Sequence, residues 1–125
     1  MNTKGKLGRI GEDEVCGYLI GKGHTILDRN WRYGHLEIDI ISLSNDGIHF
    51  VEVKSRAALS CGMPEDAVNS RKQKHIAKAA GRWLSLKGKK IGNDLEVWFD
   101  VAAVTFHKGQ TEIRYIPGAY TPIFC

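Results

Sequence analysis

Cysteine is scarce in this chain and badly placed to do structural work. Cys16, Cys61 and Cys125 are three among 125 residues. They are odd in number and far apart, with no Cys-x-x-Cys pair and no Cys/His cluster. That arrangement argues against a disulfide framework and a zinc site, and reduced thiols in a cytoplasmic protein are the simplest reading. Long apolar runs are also missing. No stretch of about 18 apolar residues is present to cross a membrane as a helix, and the charged N-terminus has no apolar segment of the kind a secretory signal needs. Glycine-rich phosphate loops, internal repeats and low-complexity segments are absent. The five histidines, His24, His35, His49, His75 and His107, share no ligand spacing and read as structural or surface groups. Neither charge sign dominates: 18 Lys+Arg stand against 14 Asp+Glu. The distribution of charge therefore matters more than the total.

At 125 residues the chain is expected to form a single domain, 1–125. A chain of this size buries roughly two-thirds of its surface on folding. Residues 1–6 and 117–125 read as loose or extended tails. Leu7 to Ile20 has a helical period, with Glu12, Val15, Cys16 and Leu19 on one face and Gly21-Lys22-Gly23 as its stop. Glu12 is the one acid on that face. It is either a first-turn carboxylate favoured by the helix dipole at the solvent edge or a buried acid that needs a partner. His24–Tyr33 and Leu36–Leu43 read as strands. Ser44-Asn45-Asp46-Gly47 is a hairpin turn, and Ile48–Ser55 is the next strand.

A loop follows over Ala57–Met63, and Pro64–Val68 is expected to open a helix. Asn69 or Ser70 is placed to cap a helix over Arg71–Lys87, with Gln73, Ile76, Ala80, Trp83 and Leu84 inward. Leu95–Phe106 is nearly continuous in apolar residues, as expected of a central strand. His107–Gln110 is a turn, and Thr111–Ile116 is a last short strand. The order α-β-β-β-α-β-β describes an α/β (α+β) domain whose central mixed five-stranded sheet is flanked by helices.

The most informative stretch is Phe50-Val51-Glu52-Val53-Lys54-Ser55-Arg56. Residues two apart on a strand share a face, so Phe50, Glu52 and Lys54 point one way. That face changes from apolar to charged along its length, as a strand does where its end opens into a site. A surface Glu/Lys pair fits the stretch equally well when it is taken alone. The hairpin adds to it. With the turn centred between Asn45 and Asp46, Asp39 falls opposite Glu52 and Glu37 opposite Lys54. Facing side chains in such a pair lie about 4.5–5.5 Å apart at Cβ.

Two adjacent carboxylates repel unless a proton or a cation sits between them. Hard oxygen ligands suit Mg2+, with Mn2+ as a substitute. Lys54 is then placed to position or deprotonate a water, or to stabilise charge in a transition state. Gln73 enters the later helix on its inward side, as a substrate contact or simply a polar group at a helix start. Arg71, His75, Lys78 and Arg82 form a stripe on another face, with Lys72 and Lys74 nearby. Between Ala67 and Asn93 there are eight Lys/Arg and no Asp/Glu. With Arg56, these cations suit phosphates, which supply most of the affinity for nucleic acid; a solvated helix face is the plainer reading of the stripe by itself. Asp100 interrupts an apolar strand and reads as a buried hydrogen-bonding acid or a support to the site.

Together these residues are more specific than they are singly. Asp39, Glu52-Val53-Lys54 on the next strand and Gln73 on a following helix resemble the PD-(D/E)xK nuclease superfamily, in its Holliday-junction-resolvase-like branch. Gly8-Arg9-Ile10-Gly11-Glu12, Asn30-Trp31-Arg32, Glu37-Ile38-Asp39, Phe50 to Arg56 and Phe99-Asp100-Val101 resemble, more narrowly, the YraN-like family of small bacterial proteins. That resemblance spans about residues 5–104. It implies a restriction-endonuclease-like fold, with Asp39 and Glu52 as metal ligands, Lys54 as the catalytic lysine, Glu12 as the helix-borne acid that completes the site and Gln73 as the helix polar residue. One departure from the superfamily motif is that Ile38, not proline, precedes Asp39.

The expectation is a Mg2+-dependent endonuclease that hydrolyses phosphodiester bonds in DNA, branched or structured DNA included. Its catalytic set is Glu12, Asp39, Glu52, Lys54 and Gln73, and its nucleic-acid contacts are Arg56, Arg71, Lys74, Lys78 and Arg82. The alternative is a non-catalytic nucleic-acid-binding or adaptor module that keeps the fold, in which the cations matter and Lys54 does not. No membrane partner is expected, and the resolvase-like resemblance raises a homodimer as an option.

Overall fold

The computed structural model describes residues 5–57, 69–92 and 94–121. In chain order these form α1 (Lys6–Gly21), β1 (Thr25–Tyr33), β2 (Leu36–Ser44), β3 (Gly47–Ala57), α2 (Ser70–Lys87), a short 3-10 turn (Gly88–Lys90), β4 (Val97–His107) and β5 (Gln110–Ile116). The expected helix start over Pro64–Val68 lies outside the described residues, as does most of the expected loop before it. The five strands make one sheet in the order β1-β2-β3-β4-β5. Every neighbouring pair is antiparallel except β3 and β4, which run parallel. The expected mixed five-stranded sheet and α-β-β-β-α-β-β order are therefore observed. β4 is interior, and β3 is the middle strand.

The helices cover opposite faces of the sheet. On one side Ile76, Ala79, Ala80 and Trp83 of α2 pack on Ile41, Ile48, Phe50, Phe99 and Val101. The Phe50 and Trp83 rings meet edge to face at 5.9 Å, and Phe99 stacks on Phe50 at 5.5 Å. Fully burying each of these rings contributes about 1.5–3 kcal/mol. On the other side Val15, Cys16 and Leu19 of α1 pack on Ile40, Val51, Val53, Ala102 and Val104. Coverage on both faces explains why β4 carries a near-continuous apolar run. Asn69 caps α2 by accepting the Lys72 amide at 2.9 Å. Trp83 Nε1 and Lys87 Nζ both donate to Asp28 Oδ2, at 2.8 and 2.9 Å, and fasten the helix to β1.

Two glycines are needed by contact. A Cβ on Gly11 would meet Ser55 Oγ at 1.8 Å, so α1 can approach β3 this closely only without a side chain there. Gly47 closes the hairpin with φ +128°, and a Cβ on it would meet Glu96 O at 2.2 Å.

The described part of the C-terminal stretch, expected as a loose or extended tail, is attached to the sheet. The Ala119 amide donates to Phe99 O at 2.8 Å, and Tyr120 packs on Phe99 at 5.7 Å. The chain after β5 therefore continues alongside β4 as far as Tyr120. At the other end, Lys6 already belongs to α1.

Candidate active site

The hairpin register holds where the turn controls it. Ser44 pairs with Gly47, Leu43 with Ile48, and so on to Ile40 with Val51. Beyond Ile40 and Val51 the two strands part, although β2 runs back to Leu36 and β3 on to Ala57. The expected pairings of Asp39 with Glu52 and of Glu37 with Lys54 are therefore not formed, although the Asp39 and Glu52 carboxyls still interact. Glu37 faces β1 instead and accepts from Arg32 Nε at 3.0 Å.

The cause lies one strand away. Arg29 pairs with Ile40 and Trp31 with Ile38, which leaves Asn30 opposite Asp39. Asn30 has φ +50°, a left-handed conformation that asparagine tolerates better than most residues. The pleat changes sides at this pair. Leu36 and Ile38 pack with the α2 core, yet Ile40 packs with the α1 core and Ile41 again with α2. On β1, Trp31 packs against the α2 side, whereas Arg29 reaches Asp13 of α1 at 2.8 Å. The Asp39 carboxylate, at the point of change, accepts the Val53 amide through Oδ2 at 2.8 Å. A buried amide beyond the end of the ladder is thus satisfied by a side chain.

Asp39 is 3% exposed and Glu52 6%. Burial, then the charge of Asp39, push the Glu52 carboxyl up to about 8. A hydrogen bond with Asp39 acts in the same direction, while Lys72 and, less strongly, Lys54 oppose it. Lys72 Nζ lies 3.3 Å from Glu52 Oε1. Lys54, half-buried, continues the strand two residues on. Gln73 follows Lys72 in α2 and is half-buried, its amide bonded to Asn69 O at 2.9 Å.

The structure thus brings together Asp39, Glu52 and Lys54, and adds Lys72. Glu12 is placed differently. It is 1% exposed, so the solvent-edge reading fails, and its Oε1 faces Arg29 at 3.8 Å. Among the described residues no group of three or more His, Cys, Asp or Glu side chains is gathered closely enough to hold a metal. Arg71, Lys74, Lys78 and Arg82 are exposed along α2, and Arg56 is half-buried near the end of β3. Lys72 was legible only as part of the basic run. Its reach to Glu52 follows from where Asn69 starts the helix.

A second polar cluster lies toward the turn end of β3. His49, 3% exposed, is held between Asp100 Oδ2 on Nδ1 at 2.5 Å and Asp46 Oδ1 on Nε2 at 2.7 Å. Asp100 also accepts from the Tyr115 hydroxyl and, at 2.8 Å, from the Gly118 amide. Asp100 is therefore the buried hydrogen-bonding acid of the two expected readings. It pairs in register with Val51, on the sheet face away from Phe50 and Glu52, and does not join the Asp39/Glu52 pair. Burial opposes charge on His49, but the hydrogen bonds to Asp100 and Asp46 outweigh it and raise its pKa.

Comparison with known proteins agrees with the narrower of the two motif resemblances. Residues 11–104 match the model of the uncharacterised protein family UPF0102. A UPF0102 protein of Oleidesulfovibrio alaskensis is 45% identical over 103 residues, covering 78% of this chain and 47% of its own length. The chain therefore spans about half of that relative. UPF0102 proteins of Chlorobium chlorochromatii and Trichlorobacter lovleyi are 41% and 40% identical, covering 85% and 91% of this chain and 79% and 89% of theirs. Among solved structures, a repair endonuclease from Pyrococcus abyssi aligns over 87% of this chain and 42% of that one, at 12% identity and a TM-score of 0.37. By the family match and by identity to these relatives, the chain belongs to the uncharacterised protein family UPF0102, the YraN-like family that its motifs resemble.

Proposed function

We propose that the chain is a metal-dependent phosphodiesterase acting on DNA, branched or structured DNA included. The observation that carries this reading is the buried Asp39/Glu52 pair at the parting of β2 and β3, beside Lys54 and Lys72. A purely structural pair of this kind is costly, because each carboxylate disfavours the charge of the other. The donor set suits a hard divalent cation. Asp39 and Glu52 would hold Mg2+ or Mn2+, with waters and a substrate phosphate as the remaining ligands. Glu12, 1% exposed with its Oε1 facing Arg29 at 3.8 Å, is proposed to support the site from α1 rather than to act as a third ligand. When bound, the cation supplies two things: it makes a water more acidic and offsets charge on the phosphate oxygens.

The protein's own groups supply the rest. Lys54 is placed to orient the attacking water or to stabilise charge that builds on the phosphate. The water oxygen bonds to phosphorus, the P–O ester bond breaks, and the proton from the water ends on the leaving oxygen. Lys72 shields the acid pair from the approaching phosphate. Gln73 contacts substrate or water beside it. Arg56 and the exposed cations of α2 hold the flanking phosphates, on a helix without a single acid. Purified protein is expected to cut DNA in Mg2+ or Mn2+, with Asp39→Asn and Lys54→Ala inactive. No cutting of linear, flapped or four-way DNA in either metal would contradict the reading.

A second reading has one observation of its own. Glu52 is already matched by Lys72 at 3.3 Å, which suits a non-catalytic nucleic-acid-binding module. In that case Lys54→Ala retains the function of the wild type in cells, whereas substitutions at Arg71, Lys74, Lys78 and Arg82 do not.

A further inference from the structure

Tyr33 ends β1, the edge strand on the side of the sheet that α2 covers, and is 43% exposed. Its ring lies nearly parallel to that of Trp31, at 9° with centroids 6.4 Å apart. Trp31 is rooted in the α2-side core, so the pair has a rigid base. The Arg82 guanidinium sits over the Tyr33 ring at 4.6 Å. At the β1–β2 turn, His35 meets His75 of α2 edge-on at 5.9 Å. An exposed tyrosine ring backed by a half-buried tryptophan is therefore bordered by Arg82, on a helix that carries no acid.

We infer that Trp31 and Tyr33 form a stacking platform for an unpaired DNA base, so that the substrate is DNA with a single-stranded segment beside a duplex. This rests on the reading of the chain as a DNA-processing protein. In a duplex the faces of the bases are covered by their neighbours. A protein ring reaches them only where the strand is unpaired, and there aromatic side chains combined with a basic groove are the usual means of capture. The charges and the rings are complementary to such a strand once Arg82 moves from the face of the Tyr33 ring to a phosphate: Arg82 and Lys78 then serve its phosphates and Tyr33 its bases.

The platform also has a defined relation to the acid pair. Lys72 contacts Glu52 and Arg82 contacts Tyr33, both from α2. Ten residues separate the two along the helix, about 15 Å at about 1.5 Å per residue. A stacked strand rises about 3.4 Å per nucleotide, so about four nucleotides would link a base on Tyr33 to a phosphate at Glu52. The platform would hold the unpaired arm while the phosphodiester near the junction lies at the acids.

The test is equilibrium binding in EDTA, where no cleavage takes place, with two labelled flapped duplexes of equal length and charge. One carries ordinary bases in the flap and the other carries abasic sites. Wild type is expected to bind the base-containing flap about fivefold more tightly, the low end of what stacking one base contributes. Tyr33→Ala should remove that preference and Tyr33→Phe should keep it. Equal affinity of wild type for the two flaps would overturn the inference, as would a preference that survives in Tyr33→Ala. Because the readout needs no metal and no catalysis, a protein that binds in this way but does not cut would sink only the nuclease reading. One that cuts but ignores the flap bases would sink only this inference.

Discussion

Asp39 accepts the amide proton of Val53 at 2.8 Å, so one carboxylate both finishes the β2–β3 hairpin and forms half of the candidate site. Structure and chemistry are coupled there and can be separated by choice of substitution. Asp39→Asn keeps an acceptor for the amide, whereas Asp39→Ala leaves a buried donor without one, a loss of about 1–3 kcal/mol. Both variants should lose cleavage, but only Asp39→Ala should unfold at clearly lower urea concentration. Equal midpoints for the two would show that the Val53 bond does not support the hairpin.

Asn30 controls the geometry from the neighbouring strand. Its φ of +50° disfavours a β-branched residue, for which the left-handed region costs roughly 1–2 kcal/mol. Asn30→Val should therefore lose more stability than Asn30→Gly, and should depress cleavage further than its stability loss explains, because the pleat change that aims Asp39 is disturbed. Urea denaturation and single-turnover cleavage of the same two variants check this.

These two residues also mark where the sequence stopped being informative. The Ser44–Gly47 turn and the alternation after it made the register from Ile40 to Ser44 legible, and with it the nearness of Asp39 to Glu52. The change of pleat at Asn30 and Asp39 was hidden for a simple reason. Ile38, Ile40 and Ile41 are all apolar, so hydrophobic period cannot reveal which of them switches face. An uninterrupted register therefore sets Glu37 against Lys54, whereas Glu37 belongs with Arg32. His49 and Asp100 are 51 residues apart and meet only because β3 and β4 pair in parallel, a register that no turn sequence encodes. Lys72 was visible as charge, but its choice of Glu52 as partner depends on the phase and tilt of a helix.

The acid pair should make stability depend on pH and metal together. The folded Glu52 holds its proton up to about 8, against an ordinary value of 4.5. The folded state therefore binds more protons than the unfolded one between those values, and stability falls as pH rises through that window. A divalent cation favours the ionised pair and offsets the loss. Mg2+ or Mn2+ should then raise Tm more at pH 8 than at pH 6, and Glu52→Gln should abolish the difference. Thermal melts at the two pH values, with and without metal, decide it.

His49 gives a second, separable pH effect. Its folded pKa is raised above 6.5 by Asp100 and Asp46 despite burial. The stability it contributes is thus complete below about 6.5 and is lost as pH rises through the folded value. Asp46 runs the other way. Its pKa is lowered by the hydroxyl of Ser44 and by His49, so its contribution is lost only under acid, below 3.8. In a Glu52→Gln background, replacing His49 with Gln should flatten the remaining fall of Tm above neutrality. An NMR titration of His49 with a midpoint at or below 6.5 would contradict the assignment.

The cations of α2 predict a salt response. Duplex binding should weaken linearly in log salt, with a slope of about −0.9 for each phosphate contact. Lys78→Ala and Arg71→Ala should each reduce the steepness by about that amount. Anisotropy titrations across a salt series measure it, and unchanged slopes would remove α2 from the interface.

Asp39, Glu52 and Lys54 are proposed as a hydrolytic site, and single-turnover cleavage of a flapped duplex in Mn2+ decides whether they are. Wild type should cut. Asp39→Asn and Lys54→Ala, with unchanged circular dichroism and unchanged binding of the same DNA in EDTA, should cut at least a hundredfold more slowly, the order expected when a group acting only in the transition state is removed. Cleavage by Asp39→Asn at the wild-type rate would contradict the account.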